Sequence, residues 1–550
     1  MSISGSSPWT LAERSAGVPG GDGFWRRLRS RRRQPVSIAT AVAALLCVVY
    51  LIAPPLGVDL SAQIARAGFA AQHSLSPVDF RWFGGTVTFG YSLWIAPLMA
   101  IIPPKVVGVV ATVIGTWATT KLFIRAGARR PLAGGLAAAL CQASSMMEGR
   151  VAFDLGLALG LCSLLLLGTG DRRRTAAAAT LAFLAGGASP VAALLLWVAA
   201  GALVLHKRRV EAAVLLVASA IPVALVSGIF GEGGKQPFTL TSAMGSVAAM
   251  LLALLLVPAR QELIRLGAAI GIVMVVGAFA ISTPVGSNAT RLPLLFALPV
   301  ICAFAERGRR VIAAAIVMTI AVQAPVSAST VLQAGRPEAH RQYYSSVLNE
   351  LRFLGPLSGR VEVPESAGHW ESAYVASEVP LARGWLRQVD VKLNKDTFYK
   401  DKPTAASYLA FLRKNAVQYV AINDADLTIT GENERRLVLS GLPYLGMIWH
   451  DPHWKLYRLG TDVNGIDEAV PVVSDPGVIL NYTSASIQLR APANSSVELA
   501  VRWFRWLNLK STDDPMACIA NVDGDAVLHT GPTGGTYTIG SSLPTGSGHC

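Results

Sequence analysis

The chain has 550 residues, of which 52% are hydrophobic and only 15% charged, with a positive mean hydropathy. Its apolar residues lie in long runs between about 36 and 330, which excludes an ordinary soluble protein and defines a polytopic α-helical membrane protein. The excess of 14 positive charges sits mostly in short clusters between those runs, where Lys and Arg mark the cytoplasmic side, so it does not point to nucleic acid.

In chain order, residues 1–35 form a basic N-terminus containing "FWRRLRSRRRQPVS", followed by an apolar run from Ile38 to Leu56 with no convincing small-residue cleavage site after it. This reads as a retained first helix with a cytoplasmic N-terminus. Further runs follow near 106–124, 131–147, 151–169, 175–188, 191–205, 211–230, 241–257, 263–282, 292–305 and 311–329. Together they predict about eleven spans in a transmembrane domain over 36–330, with a first outer loop over 57–104.

The stretch 86–104 is long and uncharged enough to be a further span. Charge argues against it. With eleven spans, fifteen basic residues fall on the inner side: Lys121, Arg125, Arg129, Arg130, Arg172, Arg173, Arg174, Lys207, Arg208, Arg209, Arg260, Arg265, Arg307, Arg309 and Arg310. Only Arg150, Lys235 and Arg291 lie in the opposing short loops. A crossing at 86–104 inverts that ratio and violates the positive-inside bias. Pro97 and the Pro103-Pro104 pair also break a straight helix there. The stretch is therefore expected to re-enter or to lie along the surface, and to line a site, because irregular backbone at membrane depth needs protein or a water-filled cavity around it.

This topology gathers polar residues on the outer face. The first outer loop carries Asp59, Gln63, Arg66, His73, Asp79 and Arg81; later loops add Glu148, Arg150, Glu232, Lys235, Asn288 and Arg291, with Asp154 one turn inside. Carboxylates beside guanidinia at an outer membrane face suit a lipid-linked anion, since Arg grips a phosphate bidentately and a carboxylate accepts a hydroxyl proton. Bland readings stand beside these. Asp59 and Ser61 could cap a helix, Asp79 and Arg81 could pair with one another, Arg150 and Arg291 could snorkel, and Gly286-Ser287-Asn288 is a turn in any case.

After 330 the long apolar runs end. From 338 to 465, helical patterns ("AHRQYYSSVLNELRFL", "TAASYLAFLRKN") mix with strand patterns ("GRVEVP", "VQYVAIN", "WKLYRL"), predicting an extracytoplasmic α/β domain. Its His369, Trp370, Glu371, Arg383 and Trp385 form a polar-aromatic group that could hold an acceptor sugar or staple the domain. From 470 to 550, short alternating strands predict a β-sandwich of carbohydrate-binding or immunoglobulin-like type. Cys518 and Cys550 are the only cysteines outside the predicted spans and are expected to pair as a disulfide. No metal-ligand spacing, Walker motif or dinucleotide glycine motif is present; "HDPH" at His450–His453 is too short for a zinc site.

The first outer loop, "GVDLSAQIARAGF" followed by "FGYSLWIAPL", resembles that of the GT-C superfamily of membrane glycosyltransferases. More narrowly, "GRVAFDLGLALGL", "GGASPVAALLL", "STPVGSNATRLPLLFALP", "HWESAYVASEVPLARGWLRQVD" and "AVQYVAIND" look like a group of poorly characterised actinobacterial integral membrane proteins related to such transferases. The resemblance implies a multi-pass plasma-membrane enzyme taking a sugar from a polyprenyl-phosphate donor and passing it to a cell-envelope glycan or glycolipid on the outer face. Under it Asp59 or Asp79 would be the base, while Arg81, Arg150, Arg291 and Asn288 would hold the donor phosphate. The polar-aromatic group would bind the acceptor. The rivals are a non-catalytic envelope-assembly scaffold and a transporter; no internal repeat favours the latter.

Overall fold

The computed structural model describes residues 22–168, 170–460, 470–511 and 513–550, with side chains omitted at 22–33, 322–327 and 329. Most of the predicted basic N-terminus therefore lies outside the described residues.

The N-terminal region is helical. Its elements are α1 (Asp22–Ile52), α2 (Val58–His73), α3 (Ile95–Ile101), α4 (Pro104–Arg125), α5 (Pro131–Met147), α6 (Val151–Leu166), α7 (Arg172–Ala188), α8 (Pro190–Leu205), α9 (Arg209–Ile229), α10 (Leu240–Leu256), α11 (Glu262–Ala280), α12 (Arg291–Phe304) and α13 (Arg309–Leu332). Apart from α2 and α3, each corresponds to one apolar run of the sequence. Among the described residues, five segments are both long and apolar enough to cross a membrane: Gln34–Ile52, Pro104–Arg125, Arg209–Ile229, Glu262–Ala280 and Gly286–Phe304. The helices α6, α8 and α10 are apolar but shorter.

The uncharged stretch 86–104 is not a long helix. It runs through a two-residue strand, a loop and the seven-residue α3, which rises only about 10 Å and cannot cross a hydrocarbon core of about 30 Å. The proline at the first position of α4 starts a new helix where its missing N–H costs nothing. Ahead of α3, Val78–Asp79 (β1) and Thr86–Val87 (β2) pair as a small hairpin.

The C-terminal region holds two β units. The first places β3 (Arg360–Glu362), β4 (Val417–Asn423), β5 (Leu445–His450) and β6 (Trp454–Leu459) in the order β3-β4-β6-β5, with β3 parallel to β4 and the other pairs antiparallel. Helices α14 (Ser345–Phe353), α15 (Glu371–Tyr374), α16 (Arg387–Leu393), α17 (Ala405–Lys414) and α18 (Ile429–Leu439) accompany it. The second unit has antiparallel sheets of β7 (Val478–Tyr482), β8 (Ile487–Ala491), β10 (Leu507–Ser511) and β13 (Gly535–Ser541), and of β9 (Ser496–Arg502), β11 (Cys518–Val522) and β12 (Asp525–His529). Alternating residues such as Val497, Leu499 and Val501 fill its core. A disulfide joins Cys518 to Cys550.

Both units sit against one end of the helical region. Trp385 Nε1 donates to the carbonyl of Val58 (2.9 Å), Leu381 N to that of Arg81 (2.8 Å), Gln388 Nε2 to that of Pro284 (3.2 Å), and Arg502 Nη1 to Glu232 (2.7 Å). Those contacts draw together the start of α2 and the loops that precede α3, α10 and α12.

Candidate functional site

Two glycines bring the start of α2 onto the turn between α5 and α6. Gly57 has φ +95°, and a Cβ there would lie 2.4 Å from the carbonyl carbon of Glu148; Gly149 has φ +80°, and its Cβ would lie 2.2 Å from the Leu60 nitrogen. Only glycine tolerates that conformation at that separation. The close approach lets Asp59 N–H donate to the Glu148 carbonyl at 3.0 Å, and it sets the Asp59 side chain beside Arg150.

The resulting cluster holds Asp59, Glu148, Arg150 and Arg291. Asp59 Oδ2 lies 3.9 Å from Arg150 Nε and 3.7 Å from Arg291 Nη2, and Glu148 Oε2 lies 3.9 Å from Arg150 Nη2. These are ion-pair distances beyond hydrogen-bonding range. Among the described residues, the side chains of Asp59, Arg150 and Arg291 make no hydrogen bond, and Arg291 Nη1 is buried without a partner. Arg291 is placed by the start of α12 and by Phe153, whose ring lies 4.6 Å below its guanidinium carbon. The Thr330 hydroxyl of α13 donates to Glu148 Oε1, and burial raises the Glu148 carboxyl above its ordinary pKa. One turn into α6, Asp154 accepts from Ser145 Oγ at 2.6 Å, while its other oxygen is buried and unpartnered.

Asp59 does not cap α2. Gly57 occupies the N-cap position, and no side chain caps that end. The carboxylate faces the guanidinia instead, 19% exposed.

Asp79 and Arg81, offered by the sequence as alternative base and phosphate ligand, are bound to each other. Arg81 Nε and Nη2 donate to the Asp79 carboxylate at 2.9 and 2.7 Å, Arg81 N–H adds a bond at 3.0 Å, and Nη2 also donates to the Ala65 carbonyl at 2.9 Å. Both residues are buried. Their bonding capacity is committed to anchoring the hairpin, and the structure does not bring them to Asp59. Asn288 lies in a short 3₁₀ turn, Gly286–Thr290, leading into Arg291, and its backbone N–H donates to Val285 O at 2.9 Å.

The five residues of the polar-aromatic group divide. Arg383 is buried among four carboxylates: it bonds Glu362 at 2.8 Å and Glu434, and faces Asp390 at 3.5 Å and Glu365 at 3.8 Å. That is a structural staple. Trp370 is buried and stacked on Tyr374, and Glu371 is buried and accepts from Ser366. Burial lifts the Glu371 carboxyl to about 8. His369 and Trp385 instead reach α2. Trp385 binds Val58 as above, and the Ser61 hydroxyl donates to the Gly368 carbonyl at 3.0 Å, pinning the turn that presents His369. His369 has φ +51° and a buried Nδ1 without a hydrogen-bond partner; burial, then Arg387 and Arg383, push its pKa down to about 4, so the ring is neutral.

The sequence reading assigned no role to Ser145, Thr330 or Tyr50, whose hydroxyls lie around Glu148 and Asp154; hydroxyls inside apolar runs carry no recognisable spacing signal.

No family model matches this chain, and no curated protein matches it. Among solved structures it is similar to the arabinofuranosyltransferase AftD from Mycobacteria (13% identity, TM-score 0.44, covering 93% of this chain and 57% of that one). It is also similar to a mutant form of AftD (14%, 0.43, 93% and 60%) and to the arabinosyltransferase EmbB from Mycobacterium smegmatis (10%, 0.30, 98% and 65%). The chain spans less than two thirds of the length of each. At such TM-scores these likenesses carry no inference about chemistry.

Proposed function

We propose that this chain is a membrane glycosyltransferase of the GT-C kind, with about eleven spans, an inward N-terminus and an outward C-terminal region. It would transfer a sugar from a polyprenyl-phosphate donor to an envelope glycan or glycolipid at the end where Asp59 lies. One observation carries the reading: Asp59 faces two guanidinia at 3.7 and 3.9 Å, and among the described residues none of the three side chains makes a hydrogen bond. With Glu148 beside Arg150 the cluster sets two carboxyl groups against two guanidinia while the guanidinium donors stay uncommitted, which is the state expected of a site awaiting an anion. Arg81 and Arg383 provide the contrast, since Nε and Nη2 of each donate to carboxylates.

In this mechanism the acceptor hydroxyl gives its proton to the Asp59 carboxylate and its oxygen bonds to the anomeric carbon. The bond from that carbon to the phosphate oxygen breaks, and the electron pair leaves with the polyprenyl phosphate, whose charge Arg150 and Arg291 meet. Trp385 and His369, seated over the first turn of α2, supply an aromatic face and a neutral imidazole for the acceptor. A transporter is disfavoured, because these polar groups gather at one end of the helices rather than at mid-depth.

The test is incubation of purified protein with a panel of radiolabelled polyprenyl-phosphate pentofuranoses and hexoses plus envelope glycan, wild type against Asp59→Asn. Transfer by the wild type alone supports the reading. Absence of transfer from every donor would leave the non-catalytic scaffold.

A further inference from the structure

Asp59, Arg66 and His73 recur every seven residues along α2, about two turns apart, and so share one face of that helix. Gln63 stands between the first two on the same face, buried, with its Oε1 unpartnered. Arg66 itself is half-buried and, among the described residues, its side chain makes no hydrogen bond and no ion pair. Its guanidinium carbon lies 4.6 Å from the ring centroid of Tyr91 and 6.0 Å from that of Trp385. An aromatic ring attracts a guanidinium through its face and uses none of its N–H donors. The carboxylates whose charge reaches Arg66 are each paired with another arginine: Asp59 with Arg150 and Arg291, Asp79 with Arg81, and Glu232 with Arg502. The stretch 86–104 supplies Thr86, Thr88 and Pro97 to a cleft of about 30 Å³ that Arg66, His73 and Trp82 also line, and Trp82 Nε1 is buried without a partner.

We propose that Arg66 is a specificity-determining residue for the acceptor: it binds an anionic group, a carboxylate or a phosphate, on a sugar next to the one that reacts. That the bound glycan is the acceptor rests on the glycosyltransferase reading. A guanidinium drawn partly out of water with no carboxylate of its own is satisfied by an anion that arrives with a ligand. The surroundings say what that ligand is. Trp385 offers an aromatic face for a sugar, and Arg66 stands beside that same ring. A glycan lying on Trp385 brings an anionic substituent within reach of Arg66 while a hydroxyl of the adjoining sugar reaches Asp59, two turns back and about 10 Å along the helix axis. The donor phosphate is met by other walls. Arg150 and Arg291 belong to the turn between α5 and α6 and to the start of α12, whereas Arg66 faces Tyr91, Trp385 and the cleft beside the hairpin.

The test uses cellobiose, cellobiouronic acid and cellobiose 6′-phosphate, which differ only in carrying a hydroxyl, a carboxylate or a phosphate at one end. Their dissociation constants for the full chain, purified in mild detergent, are read by saturation-transfer NMR. Wild type is expected to bind both anionic disaccharides at least about ten-fold more tightly than cellobiose. Arg66→Gln should bring the three to parity, and Arg66→Lys should keep part of the preference, because the ammonium retains the charge and loses the fork. Neither change orphans a hydrogen-bonded partner among the described residues, and the comparison within wild type needs no variant. Equal binding of all three by wild type, or a preference that survives Arg66→Gln, would overturn the proposal. So would equally good competition by inorganic phosphate or by phosphatidylglycerol, which would mark a bare anion or a membrane headgroup as the occupant. Binding of the radiolabelled polyprenyl-phosphate donor should be unchanged in Arg66→Gln; its loss would assign Arg66 to the donor phosphate instead. Transfer by wild type without an anionic preference sinks this inference alone, whereas the preference without transfer from any donor leaves the anionic-glycan site standing and sinks the glycosyltransferase reading.

Discussion

Replacing Asp59 by Asn separates a catalytic carboxylate from a structural one. At 3.7–3.9 Å and an effective dielectric of about 20, each Asp59–guanidinium attraction is roughly 4 kcal/mol gross. Desolvation and partial exposure reduce the net contribution of each pair to about 1 kcal/mol or less. Loss of a negative charge from the first turn of α2 costs about 0.3–1 kcal/mol more through the helix dipole. The variant should therefore lose about 1–2 kcal/mol of stability and remain folded. Loss of a general base costs a factor of about 10²–10⁴ in transfer rate, well beyond what the stability change produces. Donor affinity should move the other way. With the carboxylate neutralised, Arg150 and Arg291 lose a competitor for the phosphate, and about 1 kcal/mol corresponds to a several-fold tighter Kd. The assay pairs single-turnover transfer from radiolabelled donor with equilibrium binding of that donor to detergent-solubilised protein. An Asn variant that transfers sugar at the wild-type rate would refute Asp59 as the base, whatever its stability.

Arg291→Lys should weaken donor binding about ten-fold in a binding titration, because the ammonium keeps the charge but loses both the planar contact with Phe153 and the paired donors. Asp79→Ala should lower stability by about 3–5 kcal/mol in thermal unfolding, since it leaves Arg81 buried and unpaired; donor affinity per folded molecule should not change. Glu371, raised by burial from 4.5 to about 8, contributes stability that is complete below about pH 4.5 and lost as pH rises toward 8. Glu371→Gln should remove that decline from the pH profile of the unfolding midpoint. Reporters inserted at 171–174 or 307–310 should read cytoplasmic and one after 340 external; a cytoplasmic C-terminal reporter would sink the proposed orientation.

Much of the architecture was legible because its causes are local. An apolar run without interruption has to become a helix in a membrane, since no other short-range structure satisfies its backbone there; the helices from Pro104–Arg125 to Arg209–Ile229 lie where those runs lie. Strands Val417–Asn423 and Trp454–Leu459 likewise follow their β-branched and aromatic patterns. The prolines and the charge balance argued against a crossing at 86–104, and the short helix Ile95–Ile101 is what the chain forms there. The roles of individual charged residues were not legible. Asp59 and Asp79 share one loop, each close in sequence to an arginine, and nothing in their spacing says which is committed. That depends on through-space geometry. Asp79 finds its hydrogen-bond partner two residues away in a hairpin, whereas Asp59 meets Arg150 and Arg291 only because Gly57 and Gly149 let α2 touch the turn before α6. The same holds for Arg383, which four carboxylates from three segments enclose, and for Trp385, which the fold turns toward α2 instead. Hydrophobic periodicity acts along the chain and can be read from it, but whether a buried donor is satisfied depends on atoms that only the tertiary fold brings within 3 Å.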